Sequence, residues 1–134
     1  MLTSSAFKLG KLARDFKKLT INVTNKAPKK FRKNYVDELQ DHATRIAKNL
    51  YSANYHIDDL NKFIELCQLV EDDIIYTQFV LEDAFDDQCL TLQDEAELLK
   101  KLEEVQRVFE AWYNSTNKQN SYRIVGGNVQ RTTK

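Results

Sequence analysis

The chain has 134 residues, 42% of them apolar and 30% charged, with three glycines, one proline and a formal net charge of zero. That length suits one domain with a sizeable core, and so few turn-forming residues exclude a fold of many short strands. Two cysteines without a CxxC pairing or a histidine cluster exclude a zinc site and a disulfide framework, and no apolar run is long enough to span a membrane. Charges are mixed throughout the N-terminal stretch, unlike a secretory signal, so a soluble, reduced, cytoplasmic protein is expected.

A first helix is expected over residues 4 to 24, where Phe7, Leu12, Phe16, Leu19 and Val23 recur at helical spacing. Lys8, Lys11, Arg14, Lys17 and Lys18 occupy its other faces. It ends at Asn25-Lys26-Ala27-Pro28, because a proline disfavours helix at the residue before it and suits the first turn of the helix after it. The second helix is expected over residues 29 to 53, with Phe31, Tyr35, Leu39, Ala43, Ile46 and Leu50 stacked on one side. Residues 54 to 57 break that pattern, and Asp58 is placed to cap the helix that follows.

The third helix carries the longest stripe, Leu60, Phe63, Cys67, Val70, Ile74, Leu81 and Phe85, interrupted where Thr77 and Gln78 stand at the expected apolar position. Thr91 and Asp94 resemble a capping box for the fourth helix, whose stripe is Leu98, Leu102, Val105, Phe109 and Trp112, with an end expected at residues 114 to 117. Short connections between helices of about 30 Å favour an all-α, antiparallel up-down-up-down four-helix bundle over residues 1 to 117, with an extended three-plus-one arrangement as the competitor. Residues 118 to 134, with Gly126-Gly127 and no periodicity, read as a flexible basic tail.

Catalytic groups are sparse. His42 lies at the edge of the second helix's apolar face and His56 in a loop, and both read as structural or solvated. The carboxylates of Glu71-Asp72-Asp73 and Glu82-Asp83 are consecutive and no ExxH occurs, so the runs read as solvated faces rather than ligands of a di-iron centre. Gly126-Gly127 lacks the lysine and helix of a P-loop, and Cys67 reads as a core residue. The expectation is a protein without enzymatic activity and without a cofactor or metal.

Charge placement is more informative than charge sum. Residues 1 to 34 hold ten Lys/Arg against one acid, residues 35 to 111 hold six against nineteen, and residues 112 to 134 add four more cations. Lys26, Lys29, Lys30, Arg32 and Lys33 crowd around Pro28 at a helix start, where the dipole favours anions instead. Two explanations stand side by side: an anionic partner such as RNA or DNA, or a solvated basic end packed near the acidic region 58 to 104. A further signal is Leu66, Leu69, Ile75, Tyr76 and Val80, which fall partly off the core register of the third helix. They mark either a partner-binding face or a wide stripe shared by two neighbouring helices.

The lysine-rich first helix, the run Asn-Lys-Ala-Pro-Lys-Lys-Phe-Arg-Lys-Asn-Tyr and the late Phe-Glu-Ala-Trp-Tyr-Asn-Ser carry a resemblance. The chain resembles the four-helix-bundle family of accessory variability determinant (Avd) proteins of diversity-generating retroelements and of proteins encoded by intervening sequences in ribosomal RNA genes. Pro28, Lys29, Lys30, Phe31, Arg32 and Trp112 match the family's basic turn, aromatic and late tryptophan. The resemblance implies a bacterial or phage homo-oligomer, a pentameric ring, that binds nucleic acid and a reverse transcriptase without catalysing a reaction. The chain departs from the family in the acidity of its third and fourth helices, which suit a basic protein partner. A protein-only adaptor of a phage or mobile element is the alternative.

Overall fold

A computed structural model describes the backbone of residues 7 to 124 and the side chains of residues 7 to 118. Four α-helices follow in order: α1 Lys8–Thr24, α2 Asp37–Tyr55, α3 Leu60–Asp86 and α4 Leu92–Ile124. Each helix packs on its chain neighbours, and α1 also packs on α4, so the four pairs close a ring with α1 and α3 at opposite corners. This is the antiparallel four-helix bundle, and the α1–α4 contact removes the three-plus-one arrangement.

The shared core explains each helix's orientation. Phe16 of α1, Leu39, Ile46 and Leu50 of α2, Phe63, Ile74 and Leu81 of α3, and Leu98 and Leu102 of α4 are almost wholly removed from solvent. In α1 the buried row is Leu9, Ala13, Phe16, Thr20 and Val23, whereas Leu12 and Leu19 sit half-buried at its margin. Thr20 can occupy the core because its hydroxyl donates to the Phe16 carbonyl at 2.8 Å, and Thr24 repeats the device on Thr20 at 2.7 Å. Thr77 does the same on the Asp73 carbonyl at 2.5 Å, so the apparent interruption in the third stripe is a fully buried position.

Helix ends show where local chemistry departs from the sequence reading. Asp59, not Asp58, caps α3, accepting from the Lys62 amide at 3.3 Å. Thr91 caps α4 as expected, its hydroxyl accepting from the Asp94 amide at 3.0 Å. The end of α3 winds down through Gln88, whose φ of 69° is left-handed, while Cys89 donates to the Ala84 carbonyl at 2.8 Å and Gln88 to Phe85 at 2.9 Å. Those two bonds satisfy carbonyls that a helix terminus otherwise leaves open. The fourth helix does not stop at residues 114 to 117, because Asn114, Ser115 and Asn117 continue the ladder and Thr116 is buried. Helix therefore includes residues 118 to 124 of the expected tail, and the remainder of that tail, 125 to 134, lies outside the described residues.

At the end where α1 begins, Trp112 packs with ring centroids 5.3 Å from both Phe7 and Phe63, joining three helices, and Phe63 stacks on Tyr113 at 5.8 Å. Gly10 belongs to this end. A Cβ there would lie 2.7 Å from Tyr51 Cζ and 2.5 Å from Phe7 Cδ2, both closer than carbon atoms approach. Alanine normally gains about 1 kcal/mol over glycine inside a helix, but forcing atoms into a packed site costs about 1–3 kcal/mol. Gly10→Ala is expected to lower the melting temperature, and a raised one would show that α1 can slide off Tyr51.

Candidate nucleic-acid interface

The basic connector is built from the end of α1 and an irregular start to the second helical segment. Lys26 and Ala27 turn back on Val23 and Thr24, their amides donating to those carbonyls at 3.2 and 3.0 Å, and Pro28, with ψ near 142°, redirects the chain. A 3₁₀ turn, Lys29–Phe31, and a π turn, Arg32–Val36, then precede α2. The single helix expected from residue 29 thus changes its winding twice, and wide π turns recur at functional positions. Gln40 secures the connector from below, its amide donating to Thr24 Oγ1 at 2.8 Å and Asn25 Oδ1 at 3.3 Å.

Lys26, Lys29, Lys30, Arg32 and Lys33 are all exposed. Among the described residues none of the five forms an ion pair, and the one aromatic contact is Lys30 Nζ, 5.1 Å from the Phe31 ring centroid. The structure therefore brings all five onto one end of the bundle with their charges available to solvent. They do not stand alone there. Lys26, Ala27 and Pro28 share a cleft of about 610 Å³ with Asp86, Gln88, Cys89, Leu90 and Asp94 from the α3–α4 connection. The end read from sequence as basic is thus a basic rim beside an acidic loop.

Tyr35 ties the two connections together, its hydroxyl donating to Asp87 across the end of the bundle. That bond, then partial desolvation and the charges of Asp87 and Asp83, push the Tyr35 phenol up from 10.0 to about 12. Glu95 lies in the same acidic field and is raised above the usual carboxylate range by desolvation and by Asp86 and Glu82. Because the folded state favours protonated Tyr35, this contribution is intact below pH 10 and fades as pH rises to about 12. Tyr35→Phe is expected to remove one late-ionising phenolate from an ultraviolet pH titration; an unchanged high-pH limb would mean the bond is not formed in solution.

The histidines have partners that sequence spacing does not indicate. His56 is half-buried, with Nδ1 2.9 Å from the Ser52 carbonyl, and finishes α2. His42 is buried at the α2–α3 seam with Nδ1 2.8 Å from both Asp73 Oδ1 and Arg45 Nη2, while Arg45 Nη2 donates to the same Asp73 oxygen at 3.2 Å. Glu38 lies 3.8 Å from His42 Nε2, and the Tyr76 ring covers the imidazole at 5.7 Å between centroids. Asp73 is consequently not part of a solvated acidic face, although Glu71 and Asp72 are exposed. No sequence spacing joins residues 42 and 73; only the pairing of α2 with α3 does. The cluster holds a carboxylate, an imidazole and a guanidinium but no free nucleophile, since the nearby Thr77 hydroxyl is spent on its own helix. Removing one partner of such a buried pair leaves the other desolvated, so Asp73→Ala is expected to lower unfolding free energy by about 2–3 kcal/mol, and Arg45→Ala, at the exposed rim, by under about 1 kcal/mol. Equal losses in denaturant titrations would contradict this ranking.

Cys67 and Cys89 are buried free thiols; burial pushes Cys67 up to about 12 and also raises Cys89. Among the described residues no group of three His, Cys, Asp or Glu side chains is gathered for a metal ion, and no helix is long and apolar enough to cross a membrane. Comparison with protein-family models, with curated proteins and with solved structures gives no match in any of the three.

Proposed function

We propose that this chain is a non-catalytic accessory protein that holds nucleic acid at its basic end and a protein partner on an acidic face. The observation that carries the reading is the exposed set Lys26, Lys29, Lys30, Arg32 and Lys33, free of ion pairs among the described residues, on the connector between α1 and α2. Five neighbouring cations without acidic partners repel one another, and phosphates would offset that cost. The resemblance to Avd proteins supplies the finer version: RNA or DNA as the nucleic acid, a reverse transcriptase as the protein, and a homopentameric ring as the assembly. The acidic loop beside the connector argues for a narrow contact with a single strand rather than broad wrapping.

The alternative, a protein-only adaptor, is favoured by the uncovered apolar side chains of α3, and the two readings separate on salt. If about five phosphates are contacted, the affinity for a single strand should fall with a log–log salt slope of about −3.5. Replacing Lys29, Lys30, Arg32 and Lys33 by alanine should flatten that slope to about −0.7 and weaken binding at low salt. Affinity indifferent to salt, or unchanged in the four-fold variant, would leave the adaptor. Light scattering on the full chain checks the ring, which a monomer would remove.

A further inference from the structure

The outer face of α3 carries more apolar surface than the bundle can use. Leu66 and Val80 are buried, which accounts for two of the off-register residues as packing. Leu69, Ile75 and Tyr76 are not, being 47%, 42% and 58% exposed, and Phe79 joins them at 56%. Tyr76 follows Leu69 by seven residues, and Phe79 follows Ile75 by four and Tyr76 by three, so the four lie on the outward side of the helix, with Asp72 among them. Four large exposed apolar side chains on one side of one helix mark an interaction site.

The surround is acidic. Glu65 is four residues before Leu69, Asp72 lies between Leu69 and Tyr76, and Glu82 and Asp83 are three and four residues after Phe79; all four are exposed. The sole cation of α3 is Lys62, and on the α2 side Arg45 is already engaged by Asp73. A nucleic acid or an anionic membrane would be repelled. Two copies meeting α3 to α3 would set these acids against their own kind. The basic helix α1 of a second copy would match the charge, but among the described residues the large apolar side chains that remain exposed are on α2, α3 and α4, none on α1. Among the described residues no face of a second copy satisfies charge and apolarity together, which favours a different chain.

We infer that the outer face of α3 docks a basic amphipathic helix of another protein, Leu69, Ile75, Tyr76 and Phe79 meeting its apolar side and Glu65, Asp72, Glu82 and Asp83 pairing with flanking Lys/Arg. The inference rests on the protein-binding part of the proposed function and gives it a surface and a chemistry, and it is independent of the nucleic-acid part. Helix-in-groove recognition of this kind reads apolar anchors at i, i+3/4 and i+7 and uses rim charge for orientation and on-rate. The acidic frame from Glu65 to Asp83 is ~27 Å long, so a partner helix of about 18 residues would span it.

The probe is a designed 18-residue amphipathic helix with leucines on one side and lysines flanking them, titrated into the full chain by fluorescence anisotropy. Two control peptides keep the design but replace lysine by glutamate, or leucine by glutamine. The lysine–leucine peptide should bind, and each control should bind about tenfold more weakly or not at all. Tyr76→Ser/Phe79→Ser, both exposed positions, should weaken it about tenfold, and Asp72→Asn/Asp83→Asn should weaken it at low salt with little effect at high salt. Equal binding by the Tyr76/Phe79 variant or by the leucine-free peptide would overturn the inference. So would an oligomer that this variant dissolves to monomers, because a second copy would then be the occupant. Single-stranded nucleic acid is titrated into the same variants: loss of peptide with nucleic-acid binding intact separates this face from the basic end, and the lysine-to-alanine variant of the connector should show the reverse.

Discussion

Each helix of a four-helix bundle can bury apolar surface only against the two helices beside it, and that limit organises this molecule. α1, α2 and α4 meet it with their core residues and a largely polar remainder, broken at helix ends by Tyr55 and Leu92. α3 places Phe63, Leu66, Cys67, Val70, Ile74, Thr77, Val80, Leu81 and Ala84 out of solvent between α2 and α4, and its two covered flanks are then full. Leu69, Ile75 and Phe79, and the part of Tyr76 left over from its contact with His42 of α2, are what the two neighbours do not cover. The same limit admits a polar residue to the seam only with its hydrogen bonds made internally, as the threonines on their own helices and Asp73 on His42 and Arg45 illustrate.

Electrostatics add a second order to this frame. The formal charge of zero hides cations on α1 and its following connector and acids along α3 and the start of α4. Short connections bring the two kinds together at one end, where Tyr35 and Asp87 join them without any ion pair among the five connector cations and the loop acids. An end with both signs, unneutralised, discriminates between ligands better than a uniformly basic one, since an extended polyanion meets repulsion as soon as it strays toward Asp86 and Asp94.

Most of the fold was legible because apolar spacing of three and four needs no tertiary knowledge. Leu39, Ala43, Ile46 and Leu50, or Leu98, Leu102, Val105 and Phe109, name their own helix face. What escaped was set by partners distant in sequence or by choices between equal neighbours. Asp58 and Asp59 offer the same carboxylate, and backbone geometry selects the second. Thr20 and Thr77 look polar until their hydroxyls turn back on the helix, and Asp73 looks solvated until α2 delivers His42 and Arg45. The five connector cations were visible as a cluster, and an acidic neighbour within residues 58 to 104 was one of the two explanations; which acids was not, because residues 26 and 86 become neighbours only when the bundle closes.

That closure sets α1 and α3 at opposite corners. The connector caps one end of the bundle while the outer face of α3 runs along its side, so ligands held on the two would come nearest at Glu82 to Asp87 and diverge from there. A rigid bundle would then act as a spacer of fixed length, and a partner that itself touches the nucleic acid would meet it at an effective concentration set by the bundle's width rather than by diffusion. Helical stiffness, more than the strength of either contact, would decide how much one occupied surface helps the other.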